Sequence, residues 1–215
     1  RQPPDEHAAA DDRRRGIILR FQGWPIAVIL CAAAFVRLYR IDLTWYFLNQ
    51  VRDVSTALRI VSGQEFPLLG PLIGWTSGRL GPLYFYLVSP PFLITQNPLA
   101  GMIFVALVNV VTVLLCYWFV SKYFGAAAAI VSSALFAVFP LGVFSSRVLW
   151  NPAFVPLFSL LFMQALFALI VRGQSRAFVW MCACLAILTQ LHLTTAALGV
   201  LGAFALVVWP PLISV

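Results

Sequence analysis

Residues 82–95 read PLYFYLVSPPFLIT, and whether this segment crosses a membrane sets the side of every loop that follows it. It is apolar and aromatic. Its length of about 14 residues, at 1.5 Å per helical residue, falls short of roughly 30 Å of hydrocarbon, and Pro90 and Pro91 remove backbone donors within it. The runs after it are longer: 98–120, 125–146, 152–171, 177 to about 195, and 196–213 contain no Asp, Glu, Lys or Arg. Before it, the run 23–36 lies between Arg20 and Arg37 with no small-residue cleavage site behind it. That run reads as a transmembrane helix with snorkelling arginines rather than a signal-peptide core.

Charge chooses between the two layouts. If 82–95 does not span, Arg13, Arg14, Arg15, Lys122, Arg172 and Arg176 all face the cytoplasm. If it spans, Arg147 is left as the single later cation inside. The non-spanning layout follows, with 82–95 a short helix in the outer interface, Pro82 in its first turn and its tyrosines at headgroup depth. The expected fold is all-α: a polytopic protein of the inner (plasma) membrane with five or six transmembrane helices and interfacial helices in an outer loop of about 40–97. Residues 1–16 are expected to be a disordered cytoplasmic tail, and 17–213 the transmembrane module.

Composition agrees. Of 215 residues, 62% are hydrophobic and 10% charged, far below the charge of a soluble domain. Four of the seven acids fall in the first twelve positions and the last is Glu65, so the chain beyond it holds five cations and no carboxylate. A net charge of +7 distributed in this way is a topology signal, not a nucleic-acid grip. Cys31, Cys116, Cys182 and Cys184 all lie in apolar runs and read as small hydrophobes; Cys182 and Cys184 are about 200° apart on a helix and cannot chelate together.

The outer loop collects the polar chemistry. Val51, Val54, Leu58 and Val61 repeat at helical spacing, with Asn49, Arg52, Asp53, Thr56 and Arg59 on the opposite arc, and Gly63 is a natural stop. Such a helix is expected to lie flat, apolar side down. Counting Arg147, five arginines fall on the outer side, against the usual bias, and an anionic ligand would account for them. In that reading Asp53 is a general base or metal ligand beside phosphate-binding guanidiniums. The bland reading is a solvated polar face touching lipid phosphate.

Three segments, FLNQVRDVSTALRIVSGQEFPLLGP at 47–71, GRLGPLYFYLVSPPF at 78–92 and FPLGVFSSRVLWNPAFVPLF at 139–158, together resemble the integral-membrane GT-C glycosyltransferases. The closest branch shares its N-terminal module with lipid A aminoarabinose transferases and protein O-mannosyltransferases. The resemblance covers residues 17–209. It implies transfer of a sugar from a polyprenyl-phosphate-linked donor, at the outer face of the membrane, to a lipid, glycan or protein acceptor. The family's first-loop acid serves as base or metal ligand. Its usual acidic pair corresponds to Asn49 and Gln50 here, so Asp53, with Arg52 before it, is the remaining acid and the expected catalytic residue. Asn151 stands where some relatives carry a second acid, so a divalent metal is weakly supported and no other cofactor is evident. The family's enzymes are longer, and a chain that starts at Arg1 and ends in WPPLISV reads as a fragment or short form.

Arg79, Tyr84, Arg147, Asn151 and His192 complete the expected substrate-binding set with Asn49 and Arg52. Arg147 reads either as a snorkelling anchor or as a phosphate ligand, Asn151 with Pro152 as a helix start, and His192 more often as a hydrogen-bond partner between helices than as a ligand. Asn109, Thr112 and Gln164 read as interhelical hydrogen-bond partners, and Glu65 as facing water. The competing classes are a non-catalytic module derived from the same fold and, further off, a transporter, which would need ionisable groups at mid-depth.

Overall fold

The computed structural model describes residues 23–74 and 77–209. The tail expected over 1–16, and the end of the last apolar run, lie outside the described residues. Within them the fold is all-helical, with no strand and one isolated antiparallel bridge between Leu72 and Arg79. The helices are α1 (Gly23–Leu38), α2 (Leu48–Val61), α3 (Leu83–Val88), α4 (Pro98–Phe124), α5 (Ala126–Val138), α6 (Pro140–Ser145), α7 (Val155–Arg172), α8 (Arg176–Leu191) and α9 (Ala196–Val208). Two helical stretches, Pro98–Phe124 and Asn151–Arg172, are long and apolar enough to cross a membrane, at about 40 and 33 Å of helix. Shorter apolar helices accompany them, and large side chains such as Leu135, Trp180, Phe204 and Val207 face outward.

Local chemistry sets the boundaries. The Asn97 side chain accepts from the Leu99 amide at 2.9 Å with Pro98 in the first turn, so α4 starts capped. It ends at Gly125, whose φ of 90° turns the chain straight into α5. The run 125–146, expected as one span, breaks instead at Phe139 and Pro140 into α5 and α6. Phe139 is extended and Pro140 has no N–H to return to the Phe136 carbonyl. A glycine at φ 62°, Gly173, closes α7 and turns the chain toward α8.

α4 packs along α5, α7 along α8, and α4 also meets α7, while α1 lies against α4 and α5 through Ile29, Ala33, Val113 and Ala137. At one end of the bundle the Arg172 guanidinium sits 5.7 Å over the Tyr123 ring, near an aromatic group of Phe119, Phe124 and Phe167. The opposite end carries the loop elements. There a core of Val54, Ala57, Tyr84, Phe85, Val88, Phe92, Met102, Leu149, Phe154 and Leu191 joins α2 and α3 to the ends of α4 and α8.

Two expectations about this end are corrected. The segment 82–95 forms the six-residue α3 and a 3-10 turn, Pro90–Leu93, so it is as short as expected. Tyr84, however, is buried in the protein core with Phe85 and Val88 instead of facing a lipid surface, while Tyr86 is half-buried and its hydroxyl donates to the Pro67 carbonyl at 3.0 Å. Helix α2 is also rotated from its expected seat. Val51 is exposed, while Gln50, Asp53, Val54, Thr56 and Ala57 are buried. The apolar stripe is narrow, and satisfying Gln50 and Asp53 inside the protein turns the helix toward them.

Residues 70–73 and 78–81 lie side by side: the Gly70 amide donates to the Leu80 carbonyl and the Leu80 amide to the Pro71 carbonyl, each at 2.9 Å. A Cβ on Gly70 would overlap the backbone carbonyl of Gly81, which itself lies against Gln190 of α8. Gly70→Ala is therefore expected to part these segments and lower stability by about 2 kcal/mol. Thermal unfolding in detergent checks it, with Gly142→Ala, whose Cβ meets only ordinary contacts, as the neutral control.

Candidate functional site

The site is built on the first turns of α2. Phe47 is extended, and its amide donates to Gln50 Oε1 at 3.0 Å, which starts the helix. Gln50 Nε2 then donates to the Leu149 carbonyl at 3.0 Å, tying α2 to the segment after α6. A carboxylate could accept from Phe47 but could not donate to Leu149. The amide at this position is thus a structural requirement of this chain.

One turn on, Asp53 is 2% exposed. Its Oδ1 accepts from Arg52 Nε at 2.9 Å and Nη2 at 2.7 Å, and its Oδ2 accepts from the Tyr84 hydroxyl at 2.9 Å. Tyr84 is fully buried on α3, so α3 supplies the roof of the carboxylate that α2 presents. Arg52 remains 37% exposed, with its Cζ 6.0 Å from the Phe85 ring centroid and Nη1 3.5 Å from Asn49 Oδ1. Burial pushes the Asp53 carboxyl above its ordinary range, with the charge and hydrogen bonds of Arg52 and the Tyr84 hydrogen bond pulling partly back. Tyr84 is driven well above the usual phenol value, first by burial and then by the Asp53 charge, so it stays a protonated donor. Tyr46 is pushed up by the same two causes.

Tyr46 was not singled out from the sequence. It precedes α2 and carries no periodicity signal, and only the fold brings it within the field of Asp53. Together these groups hold a guanidinium by its inner edge on a buried carboxylate and present its outer edge to the surface. That is the geometry of an oxyanion ligand with a fixed position. Asp53 is the one carboxylate in the cluster, and among the described residues no three His, Cys, Asp or Glu side chains group together for a metal.

The remaining expected site residues are not drawn into this cluster. Arg147 donates from Nη1 to the Val36 carbonyl at 3.2 Å and from Nη2 to the Arg40 carbonyl at 2.8 Å, capping the end of α1. Arg79 points back to the Gly70 carbonyl at 3.4 Å. Asn151 is buried and donates to the Leu191 carbonyl, fastening the start of the α7 stretch to the end of α8. His192 ends α8, with Nδ1 2.7 Å from the Thr194 hydroxyl.

The cation excess expected of residues 40–97 is also resolved locally, since Arg59 pairs with Glu65 at 2.6 Å and Arg40 with Asp42 at 3.7 Å. Glu65, expected to face water alone, has a partner. Asn109 bonds across helices to the Ala153 carbonyl, whereas Thr112 bonds within its own helix to Val108.

Arg37 is the largest departure. Read as a snorkelling flank, it is fully buried, with Nη1 donating to the Ala137 carbonyl at 2.6 Å and the Ala33 carbonyl at 3.2 Å, and Nη2 to Phe136 at 3.4 Å. It supplies donors where α5 is broken before Pro140. A proline inside an apolar run and an arginine at the end of another were the signals that could have paired them.

No protein-family model, no curated protein and no solved structure matches this chain.

Proposed function

We propose that this chain is a GT-C-type membrane module, spanning the cytoplasmic membrane five or six times with its N-terminus inside, and that it transfers a sugar from a polyprenyl-phosphate-linked donor to an acceptor at the outer face. The observation that carries the reading is the Arg52–Asp53–Tyr84 cluster, set between an amphipathic helix and an aromatic segment at one end of an apolar bundle. A donor with an isoprenoid tail suits such a place, because the tail stays in hydrocarbon while the phosphate meets a guanidinium at the surface. Arg52 takes the phosphate, with Asn49 beside it. Asp53 acts first as the positioning residue that fixes Arg52.

A second role for Asp53, as the base that deprotonates the acceptor hydroxyl, is favoured by its raised pKa and opposed by the engagement of both its oxygens. The two roles give different kinetics. A positioning residue replaced by Asn raises KM for the donor, while a base replaced by Asn lowers kcat and removes the acid limb of its pH profile.

The test is sugar turnover from polyprenyl-phosphate donors by the purified chain. Arg52→Gln is expected to reduce kcat/KM by about 10- to 100-fold, the loss of a charged hydrogen bond to phosphate. Absence of turnover by the longest native form would reject the enzyme and favour a non-catalytic membrane module on the same fold.

A further inference from the structure

The far end of the bundle holds a groove of about 660 Å³ between α4, α7 and α8 that the transferase reading does not use. Its rim carries Lys122 and Arg176, with Gln174 and Ser175 between the helices. Its wall descends over Ala165, Ala168 and Leu161 on α7 and Trp180 on α8. Among the described residues no carboxylate pairs with the rim cations: the Lys122 ammonium lies 5.3 Å from the Tyr123 ring, and the Arg176 side chain makes no hydrogen bond or ion pair. No carboxylate exists anywhere after Glu65 to supply one. Gln164 also lines the groove, with a side-chain amide that makes no hydrogen bond among the described residues.

We propose that this groove binds an anionic phospholipid. Its phosphodiester sits between Lys122 and Arg176, and the upper part of one acyl chain lies against Ala168, Trp180, Ala165 and Leu161. Charge complementarity selects this occupant. Two rim cations with no carboxylate partner among the described residues, set over an apolar wall, match a negative headgroup followed by a hydrocarbon tail. A zwitterionic lipid brings a cation of its own to the rim, and a free anion leaves the wall bare. The inference rests on the membrane reading proposed above but needs no transferase activity.

The experiment uses the full-length chain purified in a neutral detergent, with lipid binding followed by native mass spectrometry and thermal midpoint. Phosphatidylglycerol is expected to bind about 30-fold more tightly than phosphatidylcholine, from two cations near one phosphate. That preference is expected to vanish in Lys122→Gln/Arg176→Gln, two exposed positions whose exchange leaves the helical circular dichroism unchanged. Ala168→Leu, which keeps both charges and narrows the groove, is expected to weaken binding as well.

Equal affinity for the two lipids, an undiminished preference in the double variant, or an equal shift with water-soluble glycerol phosphate would overturn the proposal. So would a dimer that buries the groove and excludes lipid. Extraction of the chain from cells without detergent would instead strike at the membrane reading itself, and turnover measured in the same preparation reports separately on the transferase.

Discussion

Asp53→Ala is expected to lower stability by about 2 to 3 kcal/mol and to abolish donor turnover. Removing one partner of a buried ion pair costs about 3 to 5 kcal/mol. Here the cost falls below that range, because Arg52 is 37% exposed and can turn to water once released. Tyr84 cannot, since its hydroxyl is fully buried and Asp53 Oδ2 is its acceptor. Asp53→Asn keeps an acceptor for Tyr84 and is expected to cost about 1 kcal/mol. A double-mutant cycle of Asp53→Ala with Tyr84→Phe should return a coupling of about 1 kcal/mol. Additivity of these two changes would show that the hydrogen bond does not hold in the folded chain.

The same carboxyl sets a pH dependence. Its folded pKa lies above the ordinary aspartate value of 3.8, so the unfolded chain gives up its proton first as pH rises. The contribution of this group is fully present below that ordinary value and is lost as pH climbs through the raised folded value. Thermal midpoints scanned across this window should fall with pH in the native protein, and Asp53→Asn should flatten that part of the curve. A native curve that rises there would mean that the Arg52 charge outweighs burial.

Arg37→Leu should have the largest effect of any change away from the site, about 2 to 4 kcal/mol. Leucine fills much of the volume but leaves the Phe136 and Ala137 carbonyls without donors at the broken end of α5. Removing a desolvated cation returns part of that loss, which is why the expected figure stays below the sum of the bonds. Arg37→Lys should recover about half, because a single ammonium nitrogen lacks the two-nitrogen span with which the guanidinium reaches the Ala137 and Phe136 carbonyls. Restoring a continuous helix with Pro140→Ala should make Arg37→Leu milder, and independence of the two changes would rule out the capping role.

The pairing of Arg37 with α5 has a counterpart in Arg147, which caps α1 with bonds to Val36 and Arg40. Each arginine ends up satisfying carbonyls of the other's neighbourhood. From the sequence both looked like interfacial charges, since hydropathy registers a cation next to an apolar run but not which broken helix lies beside it. The site shows the same division. Asp53 and Arg52 stood out because they are adjacent and rare in so apolar a chain. Arg79 stood out as a loop cation just before Gly81 and Pro82, and Asn151 and His192 for being polar near span ends, and the fold assigns their side chains to carbonyls or to a neighbouring threonine.

What the amino-acid order determined alone is the all-helical character, the presence of long apolar helices, the helix within 40–97 that ends near Gly63, and the inability of residues 82–95 to form a long helix. These follow from composition, periodicity and proline, all of which act within a few residues. Tertiary structure alone decided which face of α2 is buried, that Tyr84 caps Asp53, and that Arg37 and Arg147 serve backbone carbonyls roughly a hundred positions away. A buried polar group must find its partner wherever the packed helices bring one within about 3 Å, and no local pattern records where that will be.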